Sequence, residues 1–547
     1  MAKTSKYDSL SREQLIDKIQ KLEKERYGLV WEDKEEDVAK RCEAELPLLE
    51  EDCSREIVCD PTLPYNIIIE GDNYHSLYAL SFTHKKSIDV IYIDPPYNTG
   101  NNDFIYNDSY VDKTDQFRHS KWLSFMSKRL RLAKNLLSNK GLIFISIDDN
   151  EFAQLKLLCD SIFTEKNFVI DLIWNSRKSV SNDTIVSLNH NHTLIYAKNI
   201  DVIQQNKIKY RLRGSKEKFS NPDNDPRGEW TADPFDAPEI RKENLTYIIE
   251  NPNTGKKYLP PKGRHWRTTE DEYKKFLADG RIVFGKTGKA KPQLKRFYYE
   301  AEKKGITAKS IWDDVGTTTN GTKELEKILG EKKFNNPKPV SLILKILELA
   351  SFEDSTILDF FAGSGTTGHA VLAMNRRDGG NRKFILCTNN ENNICTNVTY
   401  PRIEKVIKGY SNVEGIPANL KYYTQTFVPV VTSDNDKREL VNRSTEILCV
   451  AEDCFEKVRE RDNQSDYSVF KNAKKQMAII YDEESIGDCI EYLNTHKVEC
   501  ETVIYVFSYD HTYDVEDFAG LNITFSVKPI PEAIINVYRK ISKMKKK

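Results

Sequence analysis

Asp94-Pro95-Pro96-Tyr97 is a segment whose residue types could do chemistry together. It follows the apolar run Val90 to Ile93, and its prolines, which lack a backbone donor, end the strand there. A carboxylate beside a stiffened carbonyl suits an exocyclic amine on a nucleobase. Such an amine is a poor nucleophile, because its lone pair is delocalised into the ring. Asp94 could accept one N–H, and the Pro95 carbonyl, held by Pro96, the other. Two acceptors out of the base plane favour a pyramidal nitrogen with its lone pair aimed at an electrophile. That is orientation and preorganised electrostatics rather than base catalysis. Tyr97 offers a face on which a base taken out of its helix could stack.

A second candidate lies in "LDFFAGSGTTG", Leu358 to Gly368. Gly363 and Gly365 sit between an apolar strand and a helix, where glycine lets the backbone turn tightly and approach a ligand. No lysine follows, so the Walker fingerprint is missing. The next strand, "RKFILCTNNE", ends at Glu391, a carboxylate placed to hold ribose hydroxyls.

These residues need strands to position them. "YNIIIEGD", "SIDVIYID" and "LIFISIDD" read as buried strands. They alternate with the helices "KWLSFMSKRLRLAKNLLSNKG", closed by Gly141, and "EFAQLKLLCDSIF". Strands apolar throughout and alternating with helices indicate an α/β fold with a mostly parallel sheet covered on both faces. Regularity fails in a loop-rich stretch, assigned to residues 201–330, where basic and aromatic residues mix with proline and glycine. It returns with "PVSLILKILELA" and the glycine segment. The expected parts are a helical extension over 1–60, with Leu15, Ile16, Ile19 and Leu22 at helical spacing; an α/β domain split between 61–200 and 331–425; the insert at 201–330; and a small α/β domain over 426–547.

"DPPY" together with "FAGSG" closely resembles the S-adenosylmethionine-dependent DNA amino-methyltransferases. The order, catalytic motif first, insert second and cofactor glycines last, resembles their beta class. "DPPYNTG" and "DFFAGSGTTGHA" are similar to modification (Mod) subunits of type III restriction-modification systems. The resemblance implies a Rossmann-like, circularly permuted, mixed seven-stranded sheet, with the insert as target-recognition domain. It implies catalysis by Asp94, Pro95, Pro96 and Tyr97. It implies S-adenosyl-L-methionine held by Asp72, Asn73, Lys338, Pro339, Asp359, Phe361, Gly363, Ser364, Gly365 and Thr366, with Glu391 completing the site. Aspartate at the head of the motif points to adenine N6 in double-stranded DNA; cytosine N4 or an RNA base is the alternative. No metal is implied, and His190 and His192 read as structural or close to the base. A homodimer is implied, with a restriction (Res) subunit as a further candidate partner.

One motif competes. "GRIVFGKT", Gly280 to Thr287, matches the Walker A letters and taken alone predicts a nucleotide hydrolase. Its glycine and lysine would have to open a helix, and Gly288 and Pro292 stand against one. The basic bias of the insert, 22 Lys and Arg against 15 Asp and Glu over residues 201–300, suits phosphate contacts instead. Trp230, Trp266, Phe297, Tyr298 and Tyr299 are candidate base contacts there. The net charge of -1 excludes a uniformly basic protein, and the ten cysteines form no CxxC pair. Reduced thiols, a polar N-terminus and the lack of an apolar run of membrane length lead to the expectation of a cytoplasmic protein.

Overall fold

The computed structural model describes residues 11–16, 29–101, 103–182, 184–214, 216–238, 243–509 and 512–545. The chain forms two compact units, residues 1–205 with 309–547, and residues 206–308.

The larger unit is built on a ten-stranded mixed sheet. In chain order its strands are β1 (Glu45–Glu51), β2 (Tyr65–Glu70), β3 (Ile88–Ile93), β4 (Leu137–Ile147), β5 (Phe168–Trp174), β6 (Asn191–Ala197), β7 (Ile311–Trp312), β8 (Thr356–Asp359), β9 (Lys383–Thr388) and β10 (Asn419–Pro429). In space they run β1-β10-β2-β9-β8-β3-β4-β6-β5-β7. The seven from β2 to β5 in that order form the doubly wound core. Within it β6 alone runs antiparallel, paired with β4 and β5. The expected seven strands are thus extended by three. β10 and β1 continue one edge and β7 the other, because unpaired edges of a sheet this long are open to further pairing. Every residue of β3 is buried, and the centres of β2, β8 and β9 likewise. Helices Asn73–Thr83, Arg118–Leu136, Val340–Ala350 and Thr366–Asp378 bury apolar faces in the same unit.

Several boundaries depart from the sequence reading. Within the expected helical extension, residues 12–16 and Asp37–Ala44 are helical, but residues 45–51 are a strand of the main sheet. Leu46, Leu48 and Leu49 face its core, which pairing with β10 makes possible. Ile19 and Leu22 lie outside the described residues. Gly141 does not close a helix: Arg118–Leu136 ends earlier and β4 runs through Gly141. The insert is shorter than expected, since β7 and helix Thr318–Leu329 belong to the larger unit. The C-terminal region has its own five-stranded sheet. Yet it shares a core with helix Asn73–Thr83: Tyr78 donates to the Tyr538 carbonyl at 3.3 Å, and Tyr538 to the Pro47 carbonyl at 2.7 Å. Among the described residues no helix is long and apolar enough to cross a membrane.

The smaller unit has its own core of Phe235, Ile249, Trp266, Tyr273, Ile282 and Phe284. Short strands and helix Glu270–Ala278 surround it.

One close approach sets the geometry of the site. Helix Thr318–Leu329 lies against the strap Pro337–Pro339 at Gly321, where a Cβ would stand 2.2 Å from the Pro337 carbonyl oxygen. Gly321→Ala is therefore expected to destabilise the larger unit by about 1–3 kcal/mol in urea denaturation, through overpacking. An unchanged midpoint would show that the strap yields freely.

Candidate active site

The parallel strands β2, β9, β8 and β3 end on one rim, where open α/β sheets hold ligands. Leu358 lies opposite Ile91, so the two motifs, far apart in the chain, leave the sheet side by side. Pro95 and Pro96 end β3 as expected, and the Pro96 carbonyl accepts from Trp122 Nε1 at 2.7 Å. This fixes the corner from below.

Asp94 is held from two directions. Tyr97 donates its hydroxyl to Asp94 Oδ1 at 2.8 Å, and Lys338 donates its ammonium to Oδ2. The Lys338 ammonium also lies 5.3 Å from the centre of the Tyr97 ring. Asn191 donates to the Tyr97 hydroxyl at 3.3 Å, tying the corner to β6. The next residues also have roles. Asn98 takes a left-handed φ of 57° and donates to Glu151 at 2.6 Å and to the Arg118 carbonyl at 3.3 Å. Burial raises the Glu151 pKa, against Asn98 and His119, which hydrogen-bond its charged form. Thr99 donates to Asp103 through its amide at 3.0 Å and its hydroxyl at 2.9 Å.

Two cavities meet at this corner. The first, of about 560 Å³, is lined by Asp72, Asn73, Asp94, Pro95, Pro96, Phe361, Gly363 and Glu391. Phe334, Thr388 and Asn389 also face it. Gly363 has a φ of 46°, and a Cβ there would stand 3.2 Å from Phe334. The second, of about 800 Å³, is lined by Tyr97, Lys338, Trp174, Ser176, Asn191, His190 and Asp148 to Asn150, among others.

The expected cofactor residues therefore divide. Asp72, Asn73, Phe361, Gly363 and Glu391 line the first cavity, whereas Lys338 reaches Asp94 and lines the second. Pro339 caps helix Val340–Ala350. Asp359, Ser364, Gly365 and Thr366 do not line the first cavity; they brace its glycine turn. Asp359 accepts from the Phe361 amide at 3.0 Å and the Thr367 hydroxyl at 2.5 Å. Burial pushes its pKa up to about 7, against those hydrogen bonds, and the charge of Asp94 adds to the rise. Asp94 differs from expectation in one respect: both of its oxygens already accept a hydrogen bond. A carboxylate has about four acceptor positions, so an amine can still be bound.

Two buried arginines went unread in the sequence. Arg129 donates to Asp72 at 3.3 Å and to Asn73, and pairs with Glu36 at 2.7 Å. Arg402 donates to the Thr366 hydroxyl at 2.7 Å and to the Ser364 carbonyl at 3.2 Å. Burial lowers its pKa to about 10. Each stands on the apolar face of a helix, beside Leu130 and Ile403 respectively, and a charge in such a stripe is the legible signal.

His192 is held between two carboxylates: its Nδ1 lies 2.9 Å from Asp171 and its Nε2 3.3 Å from Asp149. Burial works to lower its pKa, but the two carboxylates prevail and raise it. His190, with its ring centre 5.0 Å from that of His192, lines the second cavity.

In the smaller unit, Gly280 to Thr287 forms strand Ile282–Val283 and a loop, with no helix opening at Lys286. Trp266 and Phe297 are buried and cannot touch bases; Tyr299 is exposed.

The sequence profile of the DNA methylase family, N6/N4 type, matches residues 88–398, more than half of the chain. The chain belongs to this family. It is 38% identical over 375 residues to the type III restriction-modification enzyme StyLTI Mod subunit of Salmonella typhimurium, covering 62% of this chain and 56% of that one. It is 33% identical over 389 residues to the type II methyltransferase M.KpnI of Klebsiella pneumoniae, covering 65% of this chain and 87% of that one. It is 32% identical over 440 residues to the EcoPI Mod subunit of Escherichia phage P1, covering 68% of this chain and 64% of that one. The match to the two Mod subunits thus spans under two thirds of their length.

The buried Asp359 makes a pH-dependent contribution to stability. Its folded pKa lies above the unfolded value near 4. The unfolded chain therefore sheds this proton first, and the group costs stability progressively as pH rises from about 4 to about 7. Asp359→Asn removes that cost. The melting temperature of the variant minus that of the wild type is expected to grow more positive from about pH 4.5 to about pH 7.5. Parallel profiles would contradict the assignment.

Proposed function

We propose that the chain is a site-specific DNA methyltransferase that uses S-adenosyl-L-methionine to methylate the N6 amine of an adenine extruded from double-stranded DNA. The observation that carries this reading is the meeting of two cavities at one carboxylate. Asp94 and Pro95 face the glycine-turn cavity, and Tyr97 and Lys338 face the other.

The first cavity fits the cofactor. Phe361 and Phe334 offer apolar faces to a purine, Glu391 and Asp72 offer carboxylates to hydroxyl and amino groups, and Gly363 keeps the floor open. When bound, S-adenosyl-L-methionine supplies an already activated methyl group on a sulfonium. The other cavity, with Tyr97 at its inner end and polar groups around it, fits a flipped base. Asp94, oriented by Tyr97 and Lys338, keeps lone pairs for one N–H of the amine, and the Pro95 carbonyl is the second acceptor. The corner therefore aligns the amine for direct displacement, and orientation supplies the acceleration. The aspartate that opens the motif supports adenine N6 over cytosine N4.

The relatives' names support a role as the modification component of a restriction-modification system or as a solitary methyltransferase. A homodimer and a Res subunit are the partners we propose. Nucleotide hydrolysis is disfavoured, since Lys286 opens no helix.

DNA from cells with and without the chain, analysed by nucleoside mass and modification-sensitive sequencing, tests the reading. N6-methyladenine in one sequence context is expected; N4-methylcytosine or no modified base would overturn the assignment. Asp94→Ala is expected to lower methyl transfer by about a thousandfold or more, with cofactor affinity within about threefold of wild type. Full activity of that variant would remove Asp94 from the mechanism.

A further inference from the structure

Between β5 and β6 the chain leaves the rim of the second cavity and returns to it. Arg177 and Leu188, at the two feet of this loop, both line that cavity. The feet are fastened together. The Arg177 amide donates to the Asn189 carbonyl at 3.1 Å, and Asn189 Nδ2 donates to the Arg177 carbonyl at 2.7 Å. Further out, the Ser181 amide donates to the Ser187 hydroxyl at 2.9 Å. Residue 183 lies outside the described residues.

Along this stem and at its tip the loop presents apolar side chains to water. Val180 is 73% exposed, Ile185 105%, Val186 75% and Leu188 61%. Single exposed apolar residues need no explanation, but four within nine residues mark a contact surface. Arg177 and Lys178 add positive charge at its foot.

We propose that this loop is a wedge that enters the duplex beside the extruded base, with Ile185 at its tip filling the place the base leaves in the stack. The inference rests on the proposed function, because it takes the second cavity as the pocket for that base. The loop stands on the cavity's mouth, so the vacancy in the duplex lies within its reach. A vacancy between two base-pair faces is apolar above and below, and it accepts an aliphatic side chain where a charged one would lose hydration. Arg177 and Lys178 at the foot suit the flanking phosphates. The closed stem reduces the ordering the loop must undergo on binding.

The test uses the full chain and a duplex carrying its modified site, with 2-aminopurine at the target adenine. Wild type is expected to raise the probe's fluorescence and, on unmodified duplex, to methylate. Ile185→Ala with Val186→Ala is expected to lose most of the fluorescence rise and to lower kcat about tenfold or more, as removal of a filled gap should. Cofactor affinity and Tm should stay unchanged, and Ile185→Leu should behave as wild type. An abasic position opposite the target lowers the cost of extrusion and should bring the double variant within about threefold of wild type. Undiminished fluorescence and kcat in the double variant would overturn the wedge, as would a loss that the abasic duplex does not rescue. A fall in oligomeric mass of the double variant would also overturn it, by assigning the apolar tip to a second copy of the chain. If wild type raised fluorescence but did not methylate, and the double variant lost the rise, the proposed activity would fail while the wedge stood.

Discussion

The ion pair between Lys338 and Asp94 is the interaction on which the site depends. It joins the strap before the second half of the sheet to the strand end of the first half, and the smaller unit is inserted in the chain between those halves. Only 9% of the lysine side chain and 28% of the aspartate side chain are exposed. Water therefore screens the pair weakly, and removing one partner would strand the other. The Lys338 carbonyl accepts from Thr366 at 3.2 Å, and Thr366 in turn accepts from the buried Arg402. A chain of contacts thus runs from the Asp94 corner, through the strap, to the back of the glycine turn.

The sheet makes this chain of contacts possible. Parallel neighbours β3 and β8 bring Asp94 and the glycine turn to one rim, and the flanking strands β2 and β9 add Asp72 and Glu391. Buried charges brace the rim. Arg129 secures the Asp72 side, Arg402 the glycine side, and Asp359 closes the turn beneath Phe361. Each is costly to bury, and its hydrogen bonds offset part of that cost.

Local residue types made much of this legible. Apolar strands ending in "IDPPY" and "ILDFF" read directly, because buried parallel strands need no alternation and proline stops them. The two motifs could be placed at strand ends, and so could Glu391. What escaped depended on partners distant in the chain. β1 reads as part of a charged extension until β10 is there to pair with it. Gly141 looks like a helix stop until β4 is seen to pass through it. Nothing local to Lys338 shows that its ammonium points at Asp94. Trp266 and Phe297 looked available to DNA because composition does not reveal which aromatics form a small unit's own core. The apolar residues from Val180 to Leu188 lack helical or strand periodicity, and their meaning comes from exposure alone.

The most direct measurement of the central claim is a crystal structure of the full chain with S-adenosylhomocysteine and a duplex carrying the modified site. The nucleoside is expected against Phe361 and Gly363, and an extruded adenine on Tyr97 with its exocyclic amine in hydrogen-bond reach of Asp94. A cofactor bound elsewhere, or an extruded base whose amine points away from Asp94, would contradict it.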